Sequence, residues 1–123
     1  MNANDIGKKL VGLCKEGRND EAARTLYADD IESVEAATPP GGERVTKGLA
    51  GVIAKGKWWA ENNTVHSSEV FGPYPHGDDR FAVRFVYDVT FTPKNERRKL
   101  DEVGVFHVAN GKVVREEFFY PTA

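Results

Sequence analysis

The chain has a single cysteine, Cys14, so no internal disulfide framework can staple it, and such a chain suits a reducing cytoplasm. No apolar stretch approaches the ~20 residues needed to span a membrane. The opening residues, Met1 to Lys9, hold no apolar core of a signal peptide. Nor is there an excess of one charge. Seventeen Lys and Arg against nineteen Asp and Glu leave a net charge of −2, with no basic stripe for nucleic acid. The one basic run, Arg97-Arg98-Lys99, reads as a solvated hairpin end. His66, His76 and His107 are too scattered for a metal motif, and there is no dinucleotide fingerprint or nucleophile elbow. Gly51 to Lys57 imitates a phosphate-binding loop, but Trp58 stands where Ser or Thr should hold magnesium. Neither cofactor nor metal is expected. Asn62-Asn63-Thr64 matches a glycosylation sequon that has no meaning without a secretory signal.

What is present is a period-two pattern. From Phe81 to Phe91 every odd residue (Phe81, Val83, Phe85, Tyr87, Val89, Phe91) is large and apolar, and all six share one face of a strand. The opposite face carries Ala82, Arg84, Val86, Asp88 and Thr90. Such a strand would run about 36 Å, longer than usual for a protein this small. Strands of that length belong to twisted, curved sheets, whose concave side offers space for a site.

Around it the chain of 123 residues has room for one domain and too little for two. Ile6, Leu10, Leu13 and Cys14 form the apolar stripe of a first helix, with Gly17 as terminator. Asn19 is placed to cap a second helix that uses Ala22, Ala23, Leu26 and Tyr27 and stops at Asp29-Asp30. Ile31 to Ala37 reads as a short strand, and Thr38 to Gly42 as a turn. A third helix is expected over about Leu49–Glu61, with Leu49, Val52, Ile53, Trp59 and Ala60 inward and Lys55 and Lys57 outside. Strands follow at Thr64–Phe71, from Phe81, at about Lys99–Val108, and at Lys112–Tyr120 after the Asn110-Gly111 hairpin signal. Helices first and antiparallel strands second give an α+β fold, with helices on one face of a curved sheet.

The segment Tyr27-Ala28-Asp29-Asp30 before a short acidic strand, Gly48 opening a helix that bears Trp58-Trp59, and three long strands ending in Asn110-Gly111-Lys112-Val113-Val114 together resemble the nuclear-transport-factor-2-like superfamily. Within it the chain is most similar to SnoaL-like proteins, relatives of polyketide cyclases and ketosteroid isomerases. The resemblance implies a single domain over residues 1–123. Its form would be a cone-shaped curved mixed β-sheet wrapped by three N-terminal helices, enclosing an apolar pocket, often in a homodimer. It also implies a small apolar ligand, while the charge balance and the lack of a long apolar stretch leave no nucleic acid or membrane as expected partner. Matching the Tyr27–Asp30 segment puts Glu35 where the isomerases carry their general base. The isomerases' two oxyanion donors fall near Leu10 and Gly104, which cannot serve, so steroid isomerase activity itself is not implied.

The polar residues open to such chemistry are Glu35, His66, Glu102, Glu116 and Tyr120. Trp58, Trp59, Val83, Phe85, Tyr87, Phe106 and Phe118 would line the pocket. Alternation alone slightly favours solvent for Glu35, whereas the resemblance puts it in the pocket. Glu116 shares a face with Phe118 and Tyr120. Its position depends on the hairpin. A two-residue turn pairs Ala109 with Lys112 and sets Glu116 on the Val105 face; a three-residue loop pairs Val108 with Lys112 and sets it beside Gly104 and Glu102. The enzyme reading is a cofactor-independent lyase, isomerase or cyclase acting next to a carbonyl. Glu35, Glu116 or His66 would take the proton, and Tyr120 or a protonated carboxyl would hold the enolate. The alternative is a non-catalytic ligand-binding or dimeric interaction domain of the same fold.

Overall fold

The computed structural model describes residues 1–39 and 41–122. Helix α1 (Ala3–Lys15) is capped by the Asn2 side chain, which accepts from the Asp5 amide at 2.8 Å. Ile6, Leu10 and Cys14, four residues apart, carry its buried face. It ends as its sequence predicts. Gly17 takes φ +73°, and the amides of Gly17 and Arg18 return to the carbonyls of Cys14 and Leu13.

Helix α2 (Asn19–Leu26) is shorter than the sequence reading. Asn19 is its first residue rather than its cap, and Tyr27 already has extended backbone and opens strand β1 (Tyr27–Val34). Strand β2 (Val45–Lys47) has only three residues, too few to register as a pattern. Helix α3 (Leu49–Asn62) follows Gly48, whose φ of +91° lets the chain turn into the helix. Strands β3 (Asn63–His76), β4 (Arg80–Phe91), β5 (Glu96–Ala109) and β6 (Lys112–Phe119) complete the chain, with a short 3-10 turn at Thr92–Lys94. The Gly72–Tyr74 breakers do not end β3. A register shift between Phe71 and Tyr74 absorbs them, and pairing resumes to His76.

The six strands form one mixed sheet in the order β2-β1-β6-β5-β4-β3. Among the described residues only β1 and β6 run parallel; every other neighbouring pair is antiparallel. The sheet is curved and not closed, and the helices lie against its inner face. Ile6 and Leu10 of α1, Leu26 of α2, Val52 of α3 and Phe81, Val83 and Phe85 of β4 share one core, with Tyr87 packed against it. Among the described residues no helix is long and apolar enough to cross a membrane.

The hairpin register combines features of both readings. The turn is the two-residue Asn-Gly form, with Ala109 opposite Lys112, but a bulge between His107 and Val108 follows at once. That bulge takes up one residue of β6 and turns Glu116 to the inner face opposite Phe106, in line with Glu102 and Gly104. Gly104 is needed here. A Cβ on it would meet Phe106 Cε2 at 2.8 Å and Phe118 Cε1 at 3.2 Å. Gly104→Ala is therefore expected to lower stability by about 1–3 kcal/mol, measured by urea unfolding, because both rings must shift.

Candidate functional site

Strand β1 lies parallel to β6 with Ser33 opposite Glu116, and α3 crosses over this pair. One chain of hydrogen bonds joins the three elements. Tyr27 donates to Glu116 Oε1, and Ser33 donates to Glu116 Oε2 at 2.6 Å. Lys55 Nζ donates to Ser33 Oγ at 2.6 Å and to Glu35 Oε1 at 2.9 Å, and the Tyr120 hydroxyl donates to Glu35 Oε2 at 3.0 Å. Ser33 and Glu116 are buried, while Glu35, Lys55 and Tyr120 are partly exposed. The chain therefore leads from the core to the surface.

Each position has a local cause. Ser33 and Glu35 alternate with Glu32 and Val34, and Glu32 pairs with Arg115 on the opposite face of the sheet. Alternation alone favoured solvent for Glu35; its ion pair with Lys55 instead holds it on the inner side. Lys55 stands three residues after Val52 and four before Trp59, so it shares their inward helix face rather than lying outside it. Its stem passes Phe118, whose ring centroid is 5.8 Å from Nζ. Tyr27, Ser33 and Lys55 were not among the sequence candidates. The spacing of Lys55 from Val52 and Trp59 was the available signal.

Charge decides what the cluster can do. Among the described residues three carboxyls feel the Lys55 ammonium: Glu35 pairs with it, Glu116 reaches it through Ser33, and Glu102 senses its charge. Burial pushes the Glu116 pKa up, and the hydrogen bonds from Ser33 and Tyr27 and the charge of Lys55 pull the other way. Glu102, on the inner face of β5, is raised to about 7, first by burial and then by the charges of Glu35 and Glu116. Tyr120 is raised to about 12 by burial and by Glu35. Burial, with the charge of Glu116 next, also raises Tyr27 and takes the Cys14 thiol to about 12, leaving it unreactive.

The other sequence candidates separate. His66 is exposed on the outer face, with Nε2 2.7 Å from Thr90 Oγ1, away from the cluster. Val83, Phe85 and Phe106 are packed into the core, Phe106 stacked on Phe81 with centroids 5.1 Å apart. Trp59 meets Tyr87 at 5.6 Å, and Phe118 sits edge-on to Phe106; all three remain partly exposed beside the polar chain. Trp58 points out, 43% exposed, against Phe91. Two surface cavities lie elsewhere, one of about 670 Å³ between α1 and α2 and one of about 280 Å³ on the outer sheet face.

Three helices on an open, curved, six-stranded mixed sheet define the nuclear-transport-factor-2-like, ketosteroid-isomerase-like fold. The model of the SnoaL-like domain matches residues 1–120, and the chain belongs to that family. A candidate SnoaL-like polyketide cyclase from Mesorhizobium loti is 44% identical over 94% of this chain and 97% of its own, with a TM-score of 0.88. More distant structures share the fold alone. A nuclear-transport-factor-2-like protein from Burkholderia thailandensis is 16% identical, with a TM-score of 0.81 over 98% of this chain and 92% of its own. A protein of ketosteroid-isomerase-like fold from Catenulispora acidiphila, solved with trimethylamine, is 16% identical, with a TM-score of 0.72 over 96% and 86%. No curated protein matches the chain.

Proposed function

We propose that this single domain binds a small, largely apolar carbonyl compound at the Glu35–Lys55–Glu102 cluster and catalyses its isomerisation or cyclisation without a cofactor. One observation carries the reading: an ammonium fixed from two sides stands near a carboxyl whose pKa is raised to about 7. Lys55 has three N–H donors and spends two on Ser33 and Glu35, leaving one for a substrate carbonyl oxygen. Glu102, ionised in about half of the molecules near neutral pH, takes a proton from the carbon next to that carbonyl. The C–H electron pair moves into the enolate, whose oxygen Lys55 stabilises. Protonation at another carbon by Glu102 completes an isomerisation. In a cyclisation the enolate carbon attacks a second carbonyl, and Glu102 returns its proton to the new alkoxide.

Glu116 is too buried to touch a substrate and acts through Ser33, holding Lys55 in place. Glu35 does the same directly, so the one position carried over from the isomerases becomes a support for the ammonium in this reading. His66 has no part in it. The test is exchange of α-protons of cyclic ketones into deuterated water, followed by NMR. Wild-type protein should accelerate it. A ketone that binds without any acceleration would leave the non-catalytic ligand-binding alternative.

A homodimer through the outer sheet face belongs to the same proposal, as does a cytoplasmic location, supported by the lone Cys14. Phe71, Arg84, Val103 and Phe119 stand side by side across four strands in register, and Phe119 is 50% exposed. A stable pairing of such faces buries at least about 1,000 Å². Phe119→Asp should give monomers in sedimentation where wild-type protein sediments as a dimer. A wild-type monomer at tens of micromolar would contradict the pairing.

A further inference from the structure

The outer face carries a second polar arrangement that the inner chemistry does not use. Strand register places His76, Arg80, His107 and Arg115 side by side on β3, β4, β5 and β6. Direct cross-strand partners share a face, so the guanidiniums of Arg80 and Arg115 stand on either side of His107, and each needs an acceptor to offset its charge. For Arg115 the offset is visible: Glu32 and Glu117 both pair with it, Glu117 at 3.1 Å. Arg80 has less. Asp79 Oδ1 lies 3.5 Å from its Nε without a hydrogen bond, and that buried Nε has no hydrogen-bond partner among the described residues.

The cavity of about 280 Å³ opens beside this under-compensated guanidinium. Arg80 and His76 form its polar wall, and the outward-facing Ala82 and Val105 its apolar part. His107 lies two residues beyond Val105 on the same face of β5 and directly opposite Arg80. We propose that this cavity is a second ligand site, separate from the inner cluster, that takes a phosphate group carried on a small apolar body. The guanidinium offers a planar fork of donors to phosphate oxygens, the two imidazoles supply further N–H donors, and the apolar wall takes the organic part.

The neighbouring charges make His107 a reporter. Burial holds its pKa below the usual histidine value, and Arg80 and Arg115 depress it further, while Asp79 and Glu117 act in the opposite sense. A phosphate dianion beside Arg80 adds negative charge and raises it.

The experiment follows the His107 ring proton by NMR across pH, with phenyl phosphate, inorganic phosphate and benzyl alcohol as probes. Phenyl phosphate should bind saturably and raise the His107 pKa by about one unit. Inorganic phosphate and benzyl alcohol should each bind at least about tenfold more weakly, because each lacks one half of what the cavity offers. Arg80→Met should weaken phenyl phosphate about tenfold or more. Arg80→Lys, which keeps the charge and loses the fork, should fall between and serves if the Met variant does not fold. An unmoved His107, unchanged binding by the Arg80 variants, or benzyl alcohol binding as tightly as phenyl phosphate would overturn the phosphate site. Inorganic phosphate equal to phenyl phosphate would overturn the apolar half of the proposal.

Discussion

Replacing Lys55 with Met should make the stability of this protein fall steeply as pH rises from 5 to 8. Among the described residues Lys55 is the one cation acting on the carboxyls of Glu35, Glu102 and Glu116, and both its ion pair with Glu35 and its hydrogen bond to Ser33 lie in partly buried surroundings. Removing one partner of such a pair costs about 3–5 kcal/mol when fully buried, and the partial exposure of both side chains reduces this to about 2–4 kcal/mol. The sign with pH follows from the protons. The charge of Lys55 lowers the pKa of Glu102 and of Glu116, so its loss raises both further above their unfolded values. The native state then holds more protons than the unfolded state over that window, and stability decreases with pH. At pH 5 Glu102, already raised to about 7 in the wild type, is neutral and the loss is smaller; at pH 8 it is fully expressed. Urea unfolding at the two pH values measures the difference. Equal losses at pH 5 and pH 8 would mean that Lys55 matters for packing rather than charge.

The fold was legible because its largest feature is periodic. The six odd-numbered apolar residues of β4 specify a face without help from any neighbour, and Gly17 and the Asn110-Gly111 turn mark ends that backbone geometry imposes. What was not legible depended on pairing. Strand β2 is three residues held by β1. Strand β3 continues through Gly72 and Pro73 because β4 offers partners beyond them at Ala82, Phe81 and Arg80. The bulge after His107 leaves no mark in Val113-Val114-Arg115, yet it alone decides that Glu116 faces inward.

The site was harder to read for a related reason. Glu35, Glu102, Glu116 and Tyr120 could be named because carboxyls and phenols near apolar strands carry an evident possibility of chemistry. Tyr27, Ser33 and Lys55 could not, since their roles come from partners 20 or more residues away: Ser33 from Glu116 across the β1–β6 pair, Lys55 from Ser33 and Glu35. A lysine on an amphipathic helix is ordinarily a solvated group. Only the acids that the strands bring beneath α3 change that expectation. His66 shows the converse: its chemistry was suggestive, but its place on the outer face keeps it from the cluster.

Glu102→Gln should stabilise the protein and abolish its proposed chemistry together. In the native state burial raises the Glu102 pKa to about 7 from the ordinary 4.5, so ionising it costs more when folded than when unfolded. The stabilising preference for the protonated form is complete below the unfolded pKa and is lost as pH rises through the folded one. An uncharged amide escapes that loss. The gain over wild type should therefore be near zero at pH 4.5 and reach about 2–3 kcal/mol at pH 8, read as an upward shift of the unfolding midpoint. The same substitution removes the group assigned to take the proton. Exchange of α-protons should drop by about 100-fold or more, while a bound ketone keeps its contact with Lys55 and its affinity changes little. A side chain whose neutral replacement improves stability is one whose charge the fold does not need. Retention of such a carboxyl beside a fixed ammonium is what the proton-transfer reading requires. Were Glu102→Gln to leave stability flat between pH 4.5 and pH 8, the raised pKa would be wrong. Were it to leave exchange intact, the base would have to be Glu35, the partly exposed carboxyl paired with Lys55.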